Sequence, residues 1–172
     1  MKLLRRIFIN PAIPPEYRAN FIHFYLDIGW YALLAGSSIN FQNVYAARLG
    51  ANSFQIGLLG AIPALVSLLL AIPAGIWLAR HPVHRAVFWT SVIYRIGFLL
   101  WAFLPWFFDE QGQVWGLTAI ILFQAIPLTA LSVGFNTLFA SAVPAEWRAN
   151  VAANRNIVLS VVFMGASIGT GW

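Results

Sequence analysis

The feature that most restricts what this chain can become is a succession of apolar runs, each long enough to cross a bilayer. A helix needs about 20 mostly apolar residues to span a hydrocarbon core of about 30 Å. Four such runs occur, at residues 21–45, 54–79, 86–108 and 114–140. A fifth begins at 156 and is still apolar at 172, where the sequence stops. In lipid, backbone N–H and C=O groups must be paired within the segment or across a closed barrel, so runs of this length predict helices. The expected fold class is an all-α integral membrane protein, a polytopic transmembrane helix bundle at 21–172 behind an N-terminal arm at 1–20.

Composition supports the same reading. Hydrophobic residues make up 60% of the chain and charged ones 9%, against about 25% charged in a soluble domain. One compact core of this length would leave most of these side chains without protein to cover them, so lipid must cover them. There is no cysteine, which excludes disulfides, thiolate metal sites and thiol nucleophiles. The net charge of +5 does not point to nucleic acid, because the basic residues are not gathered into a patch with aromatics between them. They fall between the apolar runs.

Their distribution predicts an orientation. Lys2, Arg5, Arg6 and Arg18 lie in the arm, Arg80 and Arg85 follow the second span, and Arg148 and Arg155 follow the fourth; the opposite side holds Arg48. The positive-inside rule then puts the N-terminus and the even-numbered connections in the cytoplasm, for a multi-pass protein of the cell membrane. The arm, broken by Pro11, Pro14 and Pro15, reads either as a segment lying on the membrane surface or as a disordered basic tail. Between spans the punctuation is ordinary. Asn52 with Gln55 forms a capping-box pattern, Asp109 to Gln113 interrupts the third run, and Val143-Pro144-Ala145 ends the fourth.

Ionisable side chains at bilayer depth are costly unless they face protein or water, and so are functional candidates. The spans contain three: His23, Asp27 and Arg95. At about 100° per residue, His23, Asp27, Leu34, Ser38, Phe41 and Tyr45 share a stripe of the first helix, with Tyr31 and Gln42 at its margin. A carboxylate within a polar stripe predicts a water-accessible cavity. On the fourth helix Thr118, Ala125, Thr129, Ser132 and Asn136 cluster similarly, either to line the same cavity or to tie neighbouring helices together. The candidate substrate or coupling cavity is therefore His23, Asp27, Tyr31, Ser38, Gln42, Thr129, Ser132 and Asn136. Arg95 needs a carboxylate or several carbonyls, and Asp27 is the acid within the spans, so the two form a candidate pair that acts as a fixed clamp or as a proton-exchanging site.

Gly57, Gly60 and Ala64 on the second helix and Gly165 and Gly169 on the fifth have the small-xxx-small spacing of close helix packing. His81 and His84 flank Pro82 in a basic connection and read as a solvated face. The chain shows no metal-ligand spacing, phosphate loop or nucleophile with its base. No cofactor, metal or enzyme activity is expected.

The stretch from Arg48 through Leu49-Gly50-Ala51-Asn52-Ser53-Phe54-Gln55-Ile56-Gly57 to Leu59 resembles the start of the second helix of major facilitator superfamily transporters. Ile72-Pro73-Ala74-Gly75-Ile76-Trp77-Leu78-Ala79-Arg80, leading to His84-Arg85, is similar to that superfamily's cytoplasmic signature. Gly75 matches its glycine, and Arg80 and Arg85 match basic positions. Ala79 stands where the family has an aspartate, and Pro82 stands near its second glycine. Ala142 to Arg148, with Arg155-Asn156, resembles the link between the fourth and fifth helices.

The resemblance implies a fold of two six-helix halves with substrate near the midplane, of which this sequence would supply the N-terminal portion, cut within the fifth span. Its partners would then be the bilayer, a small-molecule solute and further C-terminal helices of the same polypeptide. The function so implied is secondary active transport by alternating access, ion- or proton-coupled, which this length of chain is not expected to perform alone. The alternative is a non-transporting membrane scaffold or cargo-handling factor of the same fold, and 16% aromatic content with eight Trp suits either interfacial belts or a bulky apolar cargo.

Overall fold

The computed structural model describes residues 14–171, and these are helical apart from short connections. In order they form α1 (Pro15–Leu34), a π-helical turn (Ala35–Ile39), α2 (Asn40–Arg48), α3 (Ser53–Ala79), α4 (Val83–Phe107), α5 (Glu110–Ala142) and α6 (Ala145–Thr170). The arm residues Lys2, Arg5, Arg6 and Pro11 lie outside the described residues. Four helices, α3 to α6, are long and apolar enough to cross a membrane. The first apolar run is helical but differs in kind: the π turn interrupts it, and His23, Asp27, Asn40, Gln42 and Asn43 lower its hydropathy. The last helix starts at Ala145, ahead of the apolar run that begins at Asn156, because its first turns are amphipathic.

The boundaries follow from local chemistry. Pro14, Pro82 and Pro144 occupy the N-cap positions of α1, α4 and α6 in extended conformation, where a fixed φ and a missing N–H cost the helix nothing. The capping box on α3 is present in full: Gln55 N donates to Asn52 Oδ1 and Asn52 N to Gln55 Oε1, both at 2.9 Å. Gly50 ends α2 with φ +77°, and Ala51 N reaches Ala46 O at 3.0 Å while Gly50 N reaches Ala47 O at 3.1 Å. This is a Schellman termination, and its left-handed residue favours glycine. Asp109 Oδ1 accepts from Gly112 N at 2.9 Å and so caps α5.

The chain divides into two compact units, one from Met1–Phe41 with Phe139–Trp172 and one from Gln42–Leu138. In the first, α1 and the π turn pack along α6. Phe21, Phe24, Tyr25 and Ala32 of α1 and Gly36 of the π turn are buried, as are Val143, Val151 and Asn154. Contacts at Tyr25–Asn154 and Gly36–Ser167 advance in the same sense along both helices, so α1 and α6 run parallel. Arg148 reaches back to Val143 O and Ala140 O, satisfying the last carbonyls of α5.

In the second unit Ala46, Leu59, Leu104, Leu117 and Ile121 form the core, joined by Tyr45 and Trp101. Side-chain amides fasten one end: Tyr45 Oη donates to Gln113 Oε1 at 2.6 Å, Gln55 Nε2 to Gln111 Oε1 at 3.2 Å and Gln111 Nε2 to Gly50 O at 3.3 Å. Further along, Ser67 Oγ and Thr129 Oγ1 share a hydrogen bond of 3.1 Å. The contacts 55–111 and 67–129 advance together, so α3 and α5 are also parallel, as alternate spans joined by short connections must be.

Close packing does not occur at the glycines the spacing singled out. A Cβ built on Gly57, Gly60, Gly165 or Gly169 would meet nothing within 4 Å. The tight approaches are at Gly36, Gly97, Gly116 and Gly134. At Gly134 a Cβ would lie 2.9 Å from Val87 Cγ2. Spacing reveals which glycines share a face of their own helix, but which faces meet is decided by the partner helix.

At about 1.5 Å per residue, α4 separates its two flanking connections by roughly 37 Å, more than the hydrocarbon core. Cysteines introduced at His84 and at Gln111 are therefore expected to react with an impermeant maleimide from opposite sides of a sealed vesicle. The absence of native cysteine gives a clean background. Labelling of both from one side would refute the assignment of α4 as a span.

Candidate functional site

The candidate site is a polar seam along α1 and α6. Asp27 is half-buried on α1, one turn after Phe24, against which Arg155 of α6 packs. The Arg155 guanidinium carbon lies 6.0 Å from the ring centre of Phe24 and 5.8 Å from that of Phe139. Those two rings meet edge to face at 5.4 Å. The cation therefore packs against this pair of touching rings, at similar distances from both, where a guanidinium is favoured over a more strongly hydrated ammonium. Beside it in sequence, the buried Asn154 donates through Nδ2 to Tyr25 Oη at 3.3 Å. Arg155 stands ten residues into α6 and so about 15 Å along its axis from Ala145.

The seam continues to the π turn. Gly36 has no Cβ, and one placed there would lie 2.6 Å from Phe163 O and 2.9 Å from Ala166 Cβ. That approach lets Ser167 Oγ donate to Gly36 O at 3.0 Å and places Asn40 Nδ2 3.5 Å from the same hydroxyl. A π turn displaces carbonyls from the regular i to i+4 ladder, and a serine from the adjacent helix supplies a donor to one of them. Turns of this kind occur inside helices often at functional sites.

The remaining candidates distribute as follows. His23 is exposed, with Nδ1 2.6 Å from Ala19 O of its own helix. Tyr31, Ser38 and Gln42 are half-buried. The extra residue of the π turn shifts the phase beyond it by about 100° relative to a continuous α-helix, so Phe41 is out of phase with the stripe through His23 and Asp27. Thr129 is buried; its hydroxyl donates to Ala125 O at 2.8 Å and meets Ser67. It ties α5 to α3. Ser132 and Asn136 are exposed.

Arg95 is half-buried, and its Nη1 donates to Ser91 Oγ one turn back on α4. Gly75 has open space beside it, Arg80 forms the C-cap of α3, and Arg85 sits in the first turn of α4 with its side chain exposed, as is that of Arg80.

Several residues were not singled out by the sequence. Arg155 counts there as part of a loop, but it lies within α6. Tyr25, Asn154 and Gln124 carry no pattern that separates them from ordinary polar residues of a helix; Gln124 is 3% exposed and donates to Tyr94 O at 2.9 Å. The signal available for Arg155 was the helix-starting Pro144 eleven positions earlier. Among the described residues no group of three or more His, Cys, Asp or Glu side chains could hold a metal ion. No family profile, no curated protein and no solved structure matches this chain.

Proposed function

We propose that the chain belongs to a secondary active transporter of small solutes, with the Asp27–Arg155 region as its charge-bearing, ion-coupling element and the N-terminus in the cytoplasm. The supporting observation is that Arg155 of α6 packs against Phe24 of the parallel helix α1, one turn from Asp27, on a polar seam that also holds the Asn154–Tyr25 hydrogen bond and a π turn. Side chains of this kind in spans mark ion and substrate pathways. The likeness of residues 46–156 to the major facilitator superfamily points the same way, with Arg80 and Arg85 in its cytoplasmic signature.

The test is solute flux in proteoliposomes made with the polypeptide as its own cell produces it, scanning a panel of sugars, amino acids, organic acids and drugs under an imposed pH gradient. Gradient-driven accumulation of one class is expected. The double variant Asp27→Asn/Arg155→Gln, which removes both charges together, is expected to stay folded and to lose that accumulation. Accumulation unchanged in the folded double variant would refute the coupling role. Absence of flux with a co-purifying pigment or lipid would favour the scaffold reading instead.

A further inference from the structure

The second unit contains a cavity of about 520 Å³ between α3, α4 and α5. Its α3 wall runs from Leu70 to Trp77, its α4 wall includes Trp89, and its α5 wall runs from Phe123 to Ala130 through Pro127. These positions recur at three- and four-residue spacing on α3 and α5, so one face of each helix lines the space. The surface is almost wholly carbon. The hydroxyl of Thr90, the polar group nearest to an exception, is already committed to Ala86 O and Val87 O at 2.8 and 3.1 Å. Such a wall offers nothing to a polar ligand.

Charge is concentrated at one end. Trp77 lies three residues before Arg80, and His81 turns back so that its ring sits 4.8 Å from the Trp77 ring, with Nδ1 2.8 Å from Trp77 O. His84 and Arg85 follow on the first turn of α4, and the side chains of Arg80, His84 and Arg85 are exposed. From Ser53 to Phe108 the chain contains no acid, and Glu110 of α5 belongs to the opposite end of that helix. Leu70, at the far end of the α3 wall, is ten residues from Arg80 and so about 15 Å away along the axis, which is half a hydrocarbon core. The cavity wall itself, Leu70 to Trp77, is about 10 Å long and ends one turn short of Arg80, so with the arginines it spans about the depth of one leaflet.

We propose that this cavity is a binding site for one anionic phospholipid, with an acyl chain lying between α3, α4 and α5 and the phosphate held by Arg80 and Arg85. The depth sets the chain, the carbon walls exclude anything polar along it, and the exposed arginines select an anionic headgroup. Basic clusters at the ends of membrane helices attract anionic lipid, by about fivefold in affinity for each arginine near the surface. Trp77 and Trp89 sit where interfacial tryptophans anchor a helix and lie against the chain's first carbons.

The test is tryptophan quenching in phosphatidylcholine vesicles containing the full chain and doped with lipid brominated on its acyl chains. The signal from Trp77 and Trp89 is isolated by difference from Trp77→Phe/Trp89→Phe. Brominated phosphatidylglycerol is expected to quench at a roughly 25-fold lower mole fraction than brominated phosphatidylcholine, given two arginines at about fivefold each. Arg80→Gln/Arg85→Gln, both at exposed positions, is expected to bring the ratio close to one, as is high salt. Ala74→Phe fills the cavity without touching the arginines and is expected to remove the preference for phosphatidylglycerol, leaving only the quenching that bulk lipid gives at the exposed parts of both rings. Equal quenching by the two lipids in the wild-type chain, or a preference that survives the arginine changes or Ala74→Phe, would overturn the proposal. A cavity filled by another protein segment would show as no preference between the lipids, and that also overturns it.

Discussion

Asp27→Asn is expected to destabilise the packing of α1 on α6, and neutralising Arg155 in the same chain is expected to restore it. Asparagine keeps the size of the side chain, so the change tests charge alone. In the wild-type protein Asp27 stands one turn from Phe24, and Arg155 packs against the rings of Phe24 and Phe139. Without the carboxylate that cation keeps its desolvation and loses its counter-charge. A fully buried pair broken in this way costs about 3 to 5 kcal/mol; Asp27 and Arg155 are half-buried, so a loss of about 1 to 3 kcal/mol is expected.

The measurement is the midpoint of helix loss in a denaturing-detergent titration, carried out for Asp27→Asn, Arg155→Gln and the double variant. Each single change should lower the midpoint, and the double should recover most of it, giving a coupling energy of opposite sign to the single effects. Arg95→Gln provides the comparison, since Arg95 is the cation that depth alone pairs with Asp27. Rescue of Asp27→Asn by Arg95→Gln and not by Arg155→Gln would reassign the pair to α1 and α4. Additive effects throughout would leave Asp27 with no charge partner of consequence.

Gly36→Leu is expected to have an effect of similar size through sterics. A Cβ at this position already falls 2.6 Å from Phe163 O and 2.9 Å from Ala166 Cβ, and a backbone carbonyl has no rotamer with which to move aside. The helices must separate, and separation also removes the Ser167 Oγ bond to Gly36 O. Overpacking of this kind costs about 1 to 3 kcal/mol, and an interhelical hydrogen bond in a membrane protein adds roughly 0.6 to 1.7 kcal/mol. Gly36→Ala should show the onset of the effect, and Ser167→Ala should show the hydrogen-bond part alone. Gly165→Ala on α6, where a Cβ meets nothing, should be neutral or slightly stabilising because alanine is the better helix former. The same detergent titration reads all four. A wild-type midpoint for Gly36→Leu would show that α1 and α6 do not approach closely at the π turn.

Local sequence by itself determined the helices and their ends. Long apolar runs force helix wherever lipid denies the backbone other partners, and that holds for α3, α4 and α5 with bounds close to the runs themselves. Asn52 with Gln55, Asp109 and Gly50 close their helices through bonds to groups within five residues, so their chemistry is complete in a short stretch of sequence. The same locality explains what could not be read. Arg155 lies inside a helix because Pro144 starts α6 well before the residues turn apolar, and an amphipathic first half looks like a loop when only hydropathy is followed.

Which polar residues meet was decided by tertiary structure. The stripe through His23, Asp27 and Ser38 assumes one uninterrupted α-helix. The π turn at Ala35–Ile39 shifts that phase, and nothing in Ala-Gly-Ser-Ser-Ile requires it until Gly36 is set against Phe163 and Ser167 supplies a donor from α6. Gly57 and Gly165 have the spacing of close packing and pack against nothing, while Gly36 and Gly134 stand at the real approaches. Period and propensity describe one helix about its own axis. The choice of partner face depends on the shape and hydrogen-bonding needs of another helix more than a hundred residues away, and only the folded chain brings those together.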